Sequence, residues 1–320
     1  MTSATPKSAF YVAADSRHFL GLVALVNSLR LVGHDDPIYV GNCGFTVAHR
    51  ERLAEHVTFV EMDRARAPHL AKVVAPLARP TEVMVVIDAD IIVTRPLTDL
   101  IEEARTGKIV AFADGVSHRF DERWSELLGL GPLRRQPYVN SGLVIADREL
   151  GTTLLRQVAL GSEQVDLDST TLGGGSPDYP FFYVDQDVLN AYLATYPEES
   201  LALLDHRLTP FPPFAGLRVV DETALRCSYE DGLEPFALHH IARKPWMAAT
   251  RWSIYSRFLG RLLLGDDVAL PLRREEVPLR LRPGTVGWLE KRRSDALAAF
   301  SPMRGRLGLR RWLAGHTNRS

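Results

Sequence analysis

Apolar runs of strand length alternate along the chain with stretches of helical spacing. Residues 9–14 (AFYVAA) read as a strand stopped by Asp15-Ser16. From Phe19 to Leu31 the apolar positions Leu22, Leu25, Val26 and Leu29 recur at helical intervals, and Gly33 supplies a stop. Residues 37–41 give a second strand, residues 46–55 a charged surface helix capped by Thr46, and residues 57–61 a third strand. A polar segment and an apolar one (69–77) then lead to the unbroken apolar run Val83 to Ile87. A continuous Val/Ile/Met run of this length predicts a strand covered on both faces, as inside a parallel sheet. The β-α-β-α-β alternation predicts the nucleotide-binding half of a doubly wound α/β fold.

Further on, Pro96 opens a helix over 97–105 with acidic residues early, where the helix dipole favours them. A strand over 108–113 ends in Asp114-Gly115, and another over 138–146 is interrupted by Asn140-Ser141-Gly142. Small residues in a strand mark either a bulge or the close approach of a ligand or neighbouring backbone. A helix over 147–160, a loop over 164–180 holding Gly173-Gly174-Gly175 and read as a plain linker with a mobile lid as the alternative, and a helix over 184–196 follow. Residues 210–220 are Pro-rich and are expected to wrap a sheet edge, and residues 236–241 (FALHHI) form a short strand leading into Arg243-Lys244-Pro245-Trp246.

The chemistry enters at the end of the central apolar run, at Asp88-Ala89-Asp90. Unpaired carboxylates are costly inside a buried strand, so both are expected to emerge at its carboxyl end, where ligands bind in open α/β sheets. Side-chain alternation along an extended chain would point Asp88 and Asp90 the same way, towards one cation. The triplet alone identifies nothing, because D-x-D also occurs at Asp166–Asp168 and Asp185–Asp187. Its position is the signal. No G-x-G-x-x-G follows the first strand and no G-x-x-x-x-G-K-[ST] occurs anywhere, which argues against dinucleotide and P-loop sites. Bound phosphates would have to be held by a metal and side chains.

Composition sharpens this reading in two ways. The net charge of −1 over 320 residues hides an asymmetry: residues 251–320 carry 15 Arg/Lys against 6 Asp/Glu, leaving an acidic remainder. We therefore expect a catalytic domain over 1–265 and a basic extension over 266–320. Cys43 and Cys227 are too few for a disulfide framework or a zinc site. The start, MTSATPKSAF, lacks an apolar h-region, and no apolar run reaches membrane-spanning length. A cytoplasmic location is the expectation. Arg and aromatic residues at intervals in the tail, including Trp252, Phe258, Trp288, Arg310, Arg311 and Trp312, would suit peripheral contact with an anionic inner membrane face; the alternative is a basic subdomain against the acidic body. No nucleic-acid motif accompanies the basic patch.

Taken in order, five segments resemble the retaining glycosyltransferases of family 8, the group with glycogenin and bacterial lipopolysaccharide galactosyltransferases. They are Ala13-Ala14-Asp15, Asp88-Ala89-Asp90, Asn140-Ser141-Gly142 (N-A-G in the family), Asp185-Gln186-Asp187-Val188-Leu189-Asn190 (D-Q-D-x-L-N), and His239 to Trp246 (H-x-x-G-x-x-K-P-W). The resemblance spans roughly Phe10 to Trp246. It implies a GT-A fold, a mixed central sheet flanked by helices, and a nucleotide-sugar donor, usually a UDP-sugar, used with Mn²⁺ or less typically Mg²⁺. It further implies that Asp88, Asp90 and a histidine hold the metal, that Lys244 and Lys72 face the phosphates, and that Ala13 and Asp15 meet the base. Asp114 and Asn140 would contact donor-sugar hydroxyls, and Asp185 and Gln186 would lie beside the anomeric carbon. An amide is a poor nucleophile, so Gln186 is expected to position and polarise, with Asp185 the carboxylate to serve if a covalent intermediate forms. The acceptor, a glycan, a lipid-linked sugar or a small molecule, leaves no portable signature.

Three departures matter. His239 and His240 stand five and four residues before Lys244, where the family has six, so either could be the ligand; His239 fits the strand better. Lys72 lies about one residue off the family's phosphate-binding arginine. Arg17 replaces a small polar residue near the base site. Two rival functions stand beside the transferase: a non-catalytic sugar-nucleotide or glycan-binding module, and a haloacid-dehalogenase-like phosphohydrolase. The latter also opens its chemistry with D-x-D, but with Thr or Val where this chain has Ile92, and Gly265-Asp266-Asp267 is the only later echo of its acidic motif.

Overall fold

The computed structural model describes residues 6–62, 71–115, 118–241, 243–248, 250–285, 288–293 and 296. The first half alternates as its apolar pattern predicts: β1 (Ser8–Ala14), α1 (Phe19–Leu31), β2 (Ile38–Asn42), α2 (Val47–Leu53), β3 (Thr58–Glu61), α3 (Val74–Ala78) and β4 (Val83–Ile87). Thr46 caps α2 as expected, its hydroxyl accepting from the His49 amide at 3.2 Å. Of the apolar stretch expected over 69–77, residues 69 and 70 lie outside the described residues. After β5 (Ile91–Val93) come α4 (Thr98–Arg105), β6 (Ile109–Ala113), α5 (Arg123–Leu127), β7 (Val139–Asp147), α6 (Arg148–Ser162) and α7 (Asp185–Leu193). The chain continues through β8 (Leu201–Leu204), β9 (Arg218–Asp221), β10 (Arg226–Ser228), β11 (Ala237–His239) and α8 (Ile254–Leu264).

Seven strands form one sheet in the order β3-β2-β1-β4-β7-β6-β8. All pairings are parallel except those of β7, which runs antiparallel to both β4 and β6. The carboxyl ends of β1, β4 and β6 therefore share one edge of the sheet with the amino end of β7. Ligands of open α/β sheets bind at such an edge. Both faces are covered, and side-chain alternation divides β4 between them. Val83, Val85 and Ile87 face α1, α4 and α8, whereas Met84 and Val86 face α6 and α7. Every residue of β4 is buried, which explains its uninterrupted apolar run.

Three expectations need correction. Asp88 and Asp90 do not lie on an extended strand: the Ile91 amide donates to the Asp88 carbonyl at 3.2 Å, closing a turn between β4 and β5. The turn, rather than pleat alternation, sets where the carboxylates point. Residues 210–220 do not simply wrap an edge; they lead into β9, which forms a hairpin with β10 away from the main sheet. The loop over 164–180 is also more than a connector. It carries a 3₁₀ turn at Leu167–Ser169, against whose backbone Gly173 and Gly175 sit too closely for any side chain.

The boundary expected at residue 265 falls inside a continuous core. Val268, Leu270, Leu272, Val277 and Leu281 pack into the same cluster as Leu22, Val23, Phe258 and Leu262. The buried Asn27 side chain ties the two parts together. Its Nδ2 donates to the Leu262 and Leu270 carbonyls at 2.8 and 2.9 Å, and its Oδ1 accepts from the Leu270 amide at 2.7 Å. Basic residues of the expected extension are used locally, Arg280 and Arg282 donating to the carbonyls of Pro245 and Val277, and its Asp267 pairs back with Arg261 of α8. Arg310, Arg311 and Trp312 lie outside the described residues. Among the described residues, no helix is long and apolar enough to cross a membrane.

Asn27→Ala would leave three buried backbone groups without partners, at a cost of about 1–3 kcal/mol each before relaxation. We expect a large drop in thermal midpoint by calorimetry. Truncation after residue 265 should abolish cooperative unfolding; a truncated chain with a native-like midpoint would show that this segment is dispensable.

Candidate functional site

A cleft of about 450 Å³ opens at the carboxyl edge of the sheet, lined by Ala13, Arg17, Lys72, Asp88, Asp90, Ser141, Asp185 and Lys244 among others. Its floor is the turn after β4. Gly21 on α1 makes that turn possible, because a Cβ there would run into the Ala89 carbonyl and lie 2.6 Å from the Trp246 ring. The short β5–β11 pair then brings a late segment back: His239 is in register with Ile91, and the His240 amide donates to the Asp90 carbonyl at 3.1 Å.

Adjacent strand residues point to opposite sides, and this separates the two histidines. His239 faces the aspartates, its Nε2 lying 3.3 Å from Asp90 Oδ1 and 3.8 Å from Asp88 Oδ2. His240 turns into the core against Tyr255 (ring centroids 4.9 Å apart) and Phe214, and burial, reinforced by Lys244, pushes its pKa down to about 4. His240 is a packed core residue.

The protonation of His239 follows from its other nitrogen. Nδ1 lies 3.1 Å from Asn140 Oδ1, an acceptor that also receives the Gly142 amide at 2.9 Å. In the neutral ring Nδ1 must therefore carry the proton, leaving a lone pair on Nε2. That lone pair converges with oxygens of Asp88 and Asp90; the three ligand atoms lie within 4.8 Å of one another. Asp90 Oδ1 is buried and makes no hydrogen bond of good geometry. Two hard oxygens and an imidazole, oriented from behind by an amide, fit a divalent ion such as Mn²⁺.

Two lysines flank the group. Lys72 Nζ bridges Asp88 (3.0 Å) and Asp185 (2.9 Å), while Lys244 pairs with Asp90 and donates to the His240 carbonyl at 2.8 Å. Burial opposes the charge on Lys72, but Asp185 and Asp88 outweigh it and raise its pKa. Burial likewise opposes the Asp90 charge, yet His239 and Lys244 hold that carboxyl well below the usual range. Asp88 goes the other way: burial raises its pKa despite Lys72. The three lining carboxylates are balanced by Lys72, Lys244 and Arg17, so a dication would make the cleft net positive and receptive to a diphosphate.

Beyond Asp185 lies an amide network. Gln186 Nε2 donates to Asp114 Oδ2 at 3.0 Å, and its Oε1 accepts from Asn140 Nδ2 and the Ser141 amide, both at 3.2 Å. Val184, with φ +56°, makes the sharp entry into α7 that starts this helix at the cleft. Asp187 points inward instead, accepting from Tyr138 and the Tyr183 amide (each 2.7 Å) and pairing with Arg119 at 3.0 Å. Burial pushes its carboxyl up to about 6. Asn190 is the other anchor, its side chain bonding both the amide and the carbonyl of Val139 at 2.7 and 2.8 Å. The D-Q-D-x-L-N pattern thus combines a cleft residue, Asp185, with Gln186 in the amide network beside it and with two residues that anchor α7 near the start of β7.

Asn140-Ser141-Gly142 satisfies both readings of its small residues. The β6–β7 register slips here, as in a bulge, and a Cβ on Gly142 would collide with His239 Cε1 and lie 2.7 Å from Nδ1. Asp15 is not among the residues lining the cleft; it sits behind Arg17 and His18, which do line it and which engage its carboxylate. Sequence reasoning missed Ser141, whose carbonyl and hydroxyl both lie 3.3 Å from Lys72 Nζ, and Leu172, which reaches the cleft from the glycine-rich loop. Ser141 lies inside the Asn140-Ser141-Gly142 interruption already singled out, whereas no residue pattern marks Leu172. Asp267, the echo of a phosphohydrolase motif, pairs with Arg261 and is absent from the cleft lining.

The fold is shared with solved glycosyltransferases. The galactosyltransferase LgtC, in complex with donor and acceptor sugar analogs, matches at a TM-score of 0.55 and 17% identity over 81% of this chain and 98% of LgtC. An active-site variant of LgtC matches at 0.55 and 16% identity, over 84% and 98% of the two chains. The bifunctional glycosyltransferase WbbM matches at 0.56 and 13% identity over 84% of this chain and 51% of WbbM. The chain has the GT-A fold. No family model and no curated protein matches it in sequence.

Gly142→Ala should displace the His239 ring and weaken Mn²⁺ binding by about 10–100-fold, the range for loss of ligand orientation. His239→Ala should do so at least as strongly, whereas His240→Ala should lower the thermal midpoint and spare the metal. Mn²⁺ titration followed by electron paramagnetic resonance reads all three; equal loss from both histidine variants would remove the assignment.

Proposed function

We propose that the chain is a metal-dependent, retaining hexosyltransferase that moves a sugar from a nucleotide-sugar donor to a glycan, lipid-linked or small-molecule acceptor. The observation that carries this reading is the convergence of the Asp88, Asp90 and His239 lone pairs with two half-buried lysines, one amide away from Gln186, Asp114 and Asn140. A divalent ion there would neutralise charge developing on a departing diphosphate. Lys72 and Lys244, exchanging their carboxylate partners for phosphate oxygens, would add fixed positive charge on either side. Asp114, Asn140 and the Gln186 amide offer donors and acceptors for sugar hydroxyls.

Retention is carried into this proposal by the resemblance to family 8, and the pairing of the carboxylates bears on it only until Lys72 and Lys244 turn to phosphate. Inversion needs a carboxylate that can take a proton from the acceptor on the opposite face. Asp185 and Asp88 are held by Lys72, Asp90 by Lys244, Asp15 by Arg17 and His18, and Asp114 by Gln186. Gln186 Oε1 already accepts two hydrogen bonds, which favours positioning over nucleophilic attack. Asp185 becomes available as a nucleophile only when Lys72 turns to phosphate.

Incubation with a panel of nucleotide sugars and Mn²⁺, read by mass spectrometry, should show release of the nucleoside diphosphate and transfer or hydrolysis of the sugar, both abolished by chelation. Tight donor binding without turnover would leave a binding module; phosphate release from phosphomonoesters would indicate the phosphohydrolase. Lys244→Ala should lower turnover by ~10²–10³-fold, as for loss of one electrostatic donor. An unchanged rate would take the lysine away from the phosphates.

A further inference from the structure

The expectation that Asp15 accepts a hydrogen bond from a uracil ring meets an obstacle in its surroundings. Asp15 Oδ1 already accepts from the Arg17 amide at 3.0 Å and faces His18 Nδ1 at 2.8 Å. Its Oδ2 takes Arg17 Nε at 2.9 Å and an Arg17 terminal nitrogen at 2.8 Å. Three hydrogen bonds and the close ion contact occupy most of the roughly four acceptor sites of a carboxylate. Burial opposes its charge, but the bonds from His18 and Arg17 outweigh that and lower its pKa, keeping it an acceptor for its own neighbours. Asp15 has become the support for a guanidinium.

That guanidinium is held where it can read a ligand. Two of its nitrogens are committed to Asp15, and its backbone carbonyl accepts from Trp246 Nε1 at 2.9 Å, which fixes the residue between β1 and the Lys244 segment. The side chain is 75% exposed and lines the same cleft as the metal-ligand group. β1 and β4 are neighbouring parallel strands, so a diphosphate over the end of β4 places its nucleoside over the end of β1. Arg17 also borders a second cleft of about 770 Å³, lined by Phe19, His49 and Trp246 among others, which gives room for a bicyclic base.

The geometry points to a donor whose base presents two adjacent hydrogen-bond acceptors to Arg17, a guanine or cytosine nucleoside diphosphate sugar rather than a uridine one. Guanine offers O6 beside N7, the pair that arginine reads in nucleic acids, and cytosine offers O2 beside N3. Uracil flanks an N–H donor with single carbonyls, and adenine sets a donor beside its N7. Neither matches a group that only donates. This rests on the nucleotide-sugar reading above and refines it.

Calorimetric titration of the full chain with GDP, CDP, UDP and ADP in the presence of Mn²⁺ tests it. We expect GDP or CDP to bind at least tenfold more tightly than UDP and ADP. Arg17→Ala should erase that preference and leave UDP unchanged or tighter, since Asp15 would be released to accept from uracil. If guanine is the base, 7-deaza-GDP should lose about tenfold; if cytosine is, that compound is irrelevant and CDP leads. UDP binding tightest to the unaltered chain, or an equal loss of all four on Arg17→Ala, would overturn the base assignment alone. Failure of every nucleoside diphosphate to bind, with Mn²⁺ still bound, would overturn the donor reading along with it.

Discussion

The side-chain amide of Asn140 joins the two halves of the cleft. Its oxygen receives His239 Nδ1 and the Gly142 amide, and its nitrogen reaches Asp114 and Gln186. The oxygen sets which nitrogen of His239 keeps a lone pair, and so whether Asp88, Asp90 and His239 can act together on a cation. The nitrogen holds the Gln186 amide in the orientation that offers its carbonyl to the Ser141 amide. One buried group of about three heavy atoms thus fixes a tautomer on one side and an amide rotamer on the other. A buried polar network of this kind is useful only when each member is satisfied.

The sheet supplies the geometry that this contact needs. Because β7 is antiparallel, Asn140 arrives at the start of its strand, beside the ends of β4 and β6. A fully parallel sheet would have carried it to the opposite edge. Close backbone approach completes the arrangement at two glycines: Gly142 gives way to the His239 ring, and Gly21 lets α1 meet both the aspartate turn and Trp246. These positions carry no chemistry of their own. They set the distances between groups that do.

Much of this was legible in the chain. The apolar run of β4 announced a strand covered on both faces, and the aspartates after it do emerge at its carboxyl end beside the cleft, though a turn and not the pleat brings them together. The sequence leaves both His239 and His240 open as ligands, with His239 preferred for its fit to the strand, and only the structure shows them facing opposite sides. The elements that escaped are those with weak patterns: β8 is partly exposed along its length, and β9 and β10 are short and charged. The boundary at residue 265 was read from charge, yet charge reports the surface. Val268, Leu270 and Leu272 alternate with charged or small neighbours and are spaced too sparsely to signal that they complete the core. Pairings such as Asn27 with Leu270, 243 residues apart, have no local sequence signal.

The distribution of charge gives the site its sense of direction. Carboxylates at the β4 end are paired with Lys72 and Lys244, each of which would have to surrender a partner to admit the proposed metal and diphosphate. The exchange is favourable only as a set, because removing either cation alone would strand a buried carboxylate. Metal and diphosphate are therefore expected to bind cooperatively. At the β1 end the balance is reversed, with Asp15 spent on holding Arg17 and His18 and donors left facing outward. A ligand suited to both ends carries a strongly anionic centre and a neutral, acceptor-rich extremity, which describes a nucleoside diphosphate more closely than a phosphomonoester or a bare glycan.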